Sequence, residues 1–162
     1  METAWESELA AFLTQLSAVQ EETLRVLTRR RDLLAGADLE GLAAIAEQEK
    51  ELIGKLQGCL ERRQEMLKQA GEEGLPSKSL RALAGSLPAG RAKQELSDRV
   101  YQGSRRARLL QHHGLTNWVL AQRTLLHLSQ ILEIIATGGR MQPTYGKGDH
   151  LAAKGALVDR AI

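Results

Sequence analysis

The stretch LSDRVYQGSRRARLLQHHGLTNWVLAQRTLLHLSQILEII, residues 96–135, decides the fold of this chain of 162 residues. Its seam residues, from Leu96 to Ile135, recur at alternating spacings of four and three. This alternation is the a/d pattern of a helix that packs along one narrow seam. It predicts a long helix over about residues 91–137.

The two halves of this helix differ in the residues that occupy the seam. Small residues occupy it in the first half, at Gly103, Ala107 and Gly114, whereas Leu128 and Ile131 occupy it in the second. Small residues let helices approach closely but bury little apolar area. We therefore expect the strongest core at the 117–136 end.

Two earlier segments repeat the same alternation, which predicts helices over about residues 4–35 and 38–70. Between them, Gly36 suits the left-handed position after a helix, and Asp38 can cap the start of the next one. Two helices joined by so short a loop lie antiparallel.

A connector over residues 71–90 contains glycine, proline and serine, and we expect a short helix inside it that includes Leu80 and Leu83. The predicted fold is all-α, an elongated antiparallel helical hairpin plus a long third helix in a coiled-coil-like three-helix bundle. We expect residues 1–137 to form this bundle domain. Glycines and a proline then predict a flexible C-terminal tail over residues 138–162, with a short amphipathic segment in it.

The composition excludes several classes of function. The net charge is only +2, and no segment collects the large positive excess typical of nucleic-acid-binding proteins. The most apolar stretch, residues 125–136, is shorter than the ~20 residues of a membrane span. A single cysteine, Cys59, cannot form an internal disulfide, and no secretory signal pattern is present. We expect a cytoplasmic protein without membrane insertion.

No residue pattern predicts catalysis, a metal site or a cofactor. His112 and His113 are adjacent, so on a helix they point in different directions and cannot bind one ion together. Cys59 lies on a seam, where a small buried hydrophobic residue is the usual explanation. A carboxylate-bridged metal bundle needs Glu-x-x-His pairs, and none occurs. We expect a protein that binds other proteins and is not an enzyme.

The tail carries a second apolar pattern, since Leu151, Val158 and Ile162 share one helical face with Leu157 beside them. A segment this short, which also contains Gly155, is a marginal helix by itself and orders mainly when its apolar stripe meets a surface. That surface is either the bundle of the same chain or the helix of a partner.

The motifs of the chain also follow a specific order. They are Glu21-Glu22-x-Leu24 in the first helix, Asp38 and Leu42 at the hairpin, Lys50-Glu51-Leu52 and Arg62-Arg63 in the second helix, Leu80-x-x-Leu83-Ala84 in the connector, Asn117 in the last helix and Thr144-Tyr145-Gly146-Lys147-Gly148 in the tail. In this order they resemble the FlgN family of flagellar export chaperones along almost the whole chain.

The resemblance implies a cytosolic helical chaperone that holds the hook–filament junction proteins before the flagellar type III export apparatus takes them. In that family the C-terminal part binds the substrate protein, which implies a binding role for these residues of this chain: Tyr145, Gly146, Leu151, Leu157, Val158 and Ile162. Such a chaperone masks the polymerisation-prone terminal helices of its clients without ATP.

One alternative stays open within the same structural class. A coiled-coil stalk or regulatory subunit of a secretion ATPase would use the surface of the hairpin and would need no tail. The sequence also leaves open whether the free protein is a monomer or a homodimer.

Overall fold

The structure is a computed structural model that describes residues 4–138. It contains four α-helices, namely α1 (Ala4–Ala35), α2 (Leu39–Glu72), α3 (Leu80–Ser86) and α4 (Arg91–Thr137). Within the described range there is no strand, which confirms the all-α prediction. The chain divides into two compact units, Met1–Leu126 and His127–Ile162.

The turn between α1 and α2 is a Schellman motif. The Asp38 N–H donates to the Leu33 carbonyl at 3.0 Å and the Ala37 N–H donates to the Leu34 carbonyl at 3.2 Å. The left-handed residue is Ala37, with φ of 52°, so the prediction that placed Gly36 there was wrong. The predicted cap is confirmed, because the Asp38 carboxylate accepts a hydrogen bond from the Gly41 N–H at 2.8 Å.

Ion pairs join α1 and α2 along their length. Glu8 pairs with Arg62 at 2.6 Å, and Arg30 pairs with Glu49 at 2.7 Å. Residues that come later in α1 thus meet residues that come earlier in α2. The two helices are antiparallel, as predicted from their short connection.

Helix α4 lies along α1 in the parallel direction. Near its start, Arg99 donates to the Thr14 hydroxyl at 2.6 Å. Further along, the Gln20 side chain donates to the Gly103 carbonyl at 3.1 Å. Two buried amide side chains join these helices, since Asn117 of α4 also donates to α1, as described below.

The main core lies where all four helices meet. Leu9 and Phe12 of α1 pack there with Met66 of α2. Helix α4 contributes Leu96 and Val100 to the same core. In α3, Leu83 and Ala84 are fully buried. Helix α3 begins after Ser79, whose hydroxyl accepts a hydrogen bond from the Ala82 N–H at 3.1 Å. The short predicted helix is therefore present, and it supplies apolar side chains to the core.

The predicted position of the strongest core was wrong. In α4 the buried residues are Leu96, Val100, Gly103 and Asn117, whereas Leu128 is 42% exposed. The Asn117 side chain donates to the Leu27 carbonyl at 2.9 Å, and α1 ends at Ala35, about two turns later. A heptad pattern shows which residues share a face of a helix, but it does not show whether another helix covers that face.

Candidate functional site

The second unit carries an apolar surface on the last three turns of α4. We define the exposed apolar segment by the large apolar side chains within residues 127–137, all of which lie at least one third in solvent. Its members are Leu128, Ile131, Leu132, Ile134 and Ile135. The exposed fraction reaches 71% at Ile135. Exposed apolar side chains so close together typically mark a site of protein interaction.

The polar residues of these turns lie mainly on the other side of the helix. Ser129, Gln130 and Glu133 share that side at helical spacing, whereas Leu128 and Ile135 lie opposite. Glu133 is the only charged residue of the stretch from 127 to 137. The exposed apolar segment therefore suits the apolar face of a partner helix and does not suit a charged ligand.

The His, Cys, Asp and Glu side chains of the described residues are not clustered in a way that suits metal binding. Within residues 4–138, no three His, Cys, Asp or Glu side chains are grouped so that they could hold a metal ion. The rings of His112 and His113 meet edge to face, with centroids 6.0 Å apart and planes at 78°. The two adjacent rings therefore contact each other, although their planes are nearly perpendicular.

The thiol of Cys59 lies in the main core and is 3% exposed. Burial raises the pKa of the Cys59 thiol, because the apolar surroundings disfavour the thiolate. A raised pKa is the opposite of what a nucleophilic cysteine needs. The interpretation of Cys59 as a small buried hydrophobic residue is therefore confirmed.

Among the helices within residues 4–138, none is both long and apolar enough to cross a bilayer.

The substrate-binding residues predicted from the sequence lie outside the described residues. They are Tyr145, Gly146, Leu151, Leu157, Val158 and Ile162. The structure therefore neither brings them together nor separates them, and their role stays a prediction.

The exposed apolar segment was missed by the sequence analysis, which assigned Leu128 and Ile131 to a core. One signal could have revealed it. Helices α1 and α2 have 32 and 34 residues, whereas α4 has 47. A helix longer by more than ten residues than either partner cannot be covered by them along its whole seam, because each residue adds about 1.5 Å.

The chain matches a known protein family. The family model described as FlgN protein matches residues 1–151 of the chain. No curated protein and no solved structure matches it.

Proposed function

The chain belongs to the FlgN family, and from that premise we propose that it is a cytoplasmic chaperone that binds the hook–filament junction proteins. Family membership supports a chaperone role in flagellar export in general. The identity of the clients, the cytoplasmic location, the delivery to the type III export apparatus and the manner of binding are parts of the proposal.

The exposed apolar segment is the observation that carries the proposal. Complete burial of one large apolar side chain contributes roughly 1.5–3 kcal/mol, and a micromolar Kd corresponds to about 8 kcal/mol. Burial of side chains such as Leu132 and Ile135 on a client helix would therefore supply a substantial part of such an affinity, and further apolar contacts are needed to offset the cost of association.

The client chemistry follows from the same surface. The proposed clients polymerise through amphipathic terminal helices, and apolar faces of this kind are prone to aggregate when they are left exposed. A helix that presents Leu128 and Ile135 can cover such a face by side-chain packing alone. Binding of this kind needs neither a nucleotide nor a covalent step, and a competing partner at the export apparatus is enough to release the client.

The tail extends the proposed surface. We assign the same client to Leu151, Leu157, Val158 and Ile162, with Tyr145 and Gly146 before them, on the strength of their apolar spacing and the family resemblance. The exposed apolar segment and the tail residues would then contact successive parts of one client helix.

Calorimetric titration with the C-terminal segment of a junction protein tests this function. We expect Leu132→Asp with Ile135→Asp to weaken binding at least tenfold, because two charges would face the apolar side of the client. The matched control is Gln130→Asp, which adds a charge on the polar side and should leave the Kd within about twofold.

Full affinity in the double variant would place the client elsewhere on the chain. Binding that depends on α1 or α2 instead would favour the alternative, a stalk or regulatory subunit of a secretion ATPase.

A further inference from the structure

The first unit contains an open groove between α2 and α4, with α1 as its floor. Leu13 and Leu16 of α1 form the bottom, Leu56 and Leu60 of α2 form one wall, and Val100 and Ala107 of α4 form the other. The lining is largely apolar, and Leu60 is 52% exposed. This groove is separate from the exposed apolar segment, which belongs to the other unit.

Polar contacts join each wall of the groove to its floor. On the α2 side, Nζ of Lys55 lies 3.6 Å from Oε2 of Glu22 in α1. On the α4 side, Arg106 lies 3.4 Å from Glu21 of α1. Across the groove itself, no hydrogen bond or ion pair within residues 4–138 connects α2 with α4. No polar contact among the described residues therefore bridges the two walls, and no other element of residues 4–138 lies between them.

Helix α3 shows what kind of element fits beside these walls. It buries Leu80, Leu83 and Ala84 in the core that α1, α2 and α4 share, and Ser79 and Arg81 line the end of the groove. A short helix therefore already packs against these three helices beside the groove. A second helix placed in the open part would complete the same kind of packing.

The floor of the groove contains a buried polar atom without a partner. Gln20 is 4% exposed, and its Nε2 donates to the Gly103 carbonyl at 3.1 Å. Its Oε1 receives no hydrogen bond from the described part of the chain. A buried acceptor left unpaired is unfavourable, so a ligand that offers a donor at this point is stabilised there.

The charges that line the groove are all of one sign. Arg63 of α2 and Arg81 of α3 belong to the lining, whereas no Asp or Glu does. Neither arginine forms an ion pair within the described part of the chain. The charged part of the groove lining is therefore complementary to acidic side chains.

We propose that this groove binds an amphipathic helix of a partner protein, with the apolar face of that helix between Leu60 and Ala107 and an acidic residue against Arg63 and Arg81. This site is additional to the client surface assigned above and does not depend on it.

The probe for this proposal is a pair of fluorescein-labelled synthetic peptides of about 18 residues, long enough to form a helix when bound. Both carry leucines at spacings of three and four, and one has glutamates at its ends where the other has lysines. Fluorescence anisotropy with the full chain should show tighter binding of the acidic peptide by at least threefold, a difference that 0.5 M salt reduces. Equal affinity for both peptides would overturn the assigned role of Arg63 and Arg81.

Variants locate the binding in the groove. Ala107→Trp fills the space between the walls and should weaken binding of the acidic peptide by about tenfold or more. The matched control is Ala43→Trp, an exposed alanine of α2 outside the groove lining, which should leave the affinity unchanged. Leu60→Asp serves as a second groove variant if Ala107→Trp changes the circular dichroism spectrum.

Two results would overturn the proposal. In the first, the Leu132→Asp/Ile135→Asp variant loses peptide binding, whereas Ala107→Trp binds the peptide with full affinity. The peptide would then occupy the exposed apolar segment and not the groove. The second result is a change of sedimentation mass in Ala107→Trp without any change in peptide affinity, because the groove would then join two copies of this chain.

Discussion

The backbone N–H of Ala37 donates to the carbonyl oxygen of Leu34 at 3.2 Å, and this bond holds Ala37 in the left-handed region with φ of 52°. A side chain beyond glycine is strained in that region, because its Cβ approaches the neighbouring carbonyl. At this position of the hairpin turn, alanine is therefore less favourable than glycine.

Replacing Ala37 by glycine should stabilise the protein. We expect Ala37→Gly to raise the free energy of unfolding by about 0.5–1 kcal/mol, since glycine adopts the left-handed conformation without strain. Urea denaturation followed by circular dichroism measures this change. Gly36→Ala is the matched control, and its added Cβ would lie 3.5 Å from the Asp32 carbonyl, an ordinary contact, so we expect little change. A large loss of stability in that control would mean that Gly36 is the left-handed residue.

The buried amide of Asn117 should tolerate an apolar replacement better than a charged one. Its Nδ2 donates to the Leu27 carbonyl, but its Oδ1 is buried and has no partner within the described chain. We expect Asn117→Asp to lower the free energy of unfolding by about 2–4 kcal/mol, because a carboxylate would be buried beside a carbonyl oxygen. Asn117→Leu should stay within about 1 kcal/mol, since the lost hydrogen bond is offset by removal of the unpaired acceptor. Chemical denaturation that gave the same midpoint for both variants would contradict this account.

A buried leucine of α3 and a partly exposed leucine of α4 should respond differently to substitution. Leu83 is fully buried, so Leu83→Ala should cost about 2–5 kcal/mol. Leu128 is 42% exposed, so Leu128→Asp should change the free energy of unfolding by no more than about 0.5 kcal/mol. Thermal melting of both variants measures these changes. A large loss of stability in Leu128→Asp would show that Leu128 is a core residue.

The thiol of Cys59 gives a pH-dependent prediction. Its pKa in the folded protein is raised above the ordinary value of 9.0 by burial, so the unfolded chain releases this proton first as the pH rises. The contribution of Cys59 is therefore constant at neutral pH, and stability falls as the pH rises through about 9 and above. Urea midpoints between pH 7 and pH 10 should decrease less in Cys59→Ala than in the parent chain. Equal decreases would show that other groups cause the whole effect.

Removal of the tail should separate folding from binding. We expect deletion of residues 140–162 to leave the helical content of the described helices intact but to abolish binding of a junction-protein segment. The expectation rests on the proposal that Leu151, Leu157, Val158 and Ile162 contact the client together. Circular dichroism and calorimetric titration measure the two effects, and undiminished affinity would remove the tail from the binding site.

The sequence predicted those features of the fold that depend on neighbouring residues. The helical segments could be predicted from heptad spacing. The Asp38 cap could be predicted because its carboxylate accepts from the N–H of Gly41, only three residues later in the sequence. Ala37 could not be predicted as the left-handed residue, because the register of the turn is fixed by hydrogen bonds to Leu33 and Leu34 and not by the position of glycine.

The candidate sites were harder to predict from the sequence. Leu128 has the spacing of a core residue, and its exposure depends on whether another helix reaches it, a matter of tertiary structure. The groove exists because α2 and α4 both pack on α1 with a space between them. The distance between two helices that are far apart in the sequence cannot be read from a local residue pattern. The roles of Tyr145, Gly146 and the apolar tail residues remain predictions.

The two buried amides that connect α1 and α4 both donate to main-chain carbonyls, Gln20 to that of Gly103 and Asn117 to that of Leu27. A carbonyl oxygen is present whatever side chain its residue carries. Residue 27 can therefore diverge among homologues, and residue 103 can vary among small residues, without loss of either bond. Correlated substitution, the usual statistical trace of a contact, will be absent at these two pairs, and an alignment that is searched for co-varying positions will overlook the bonds that align α4 with α1.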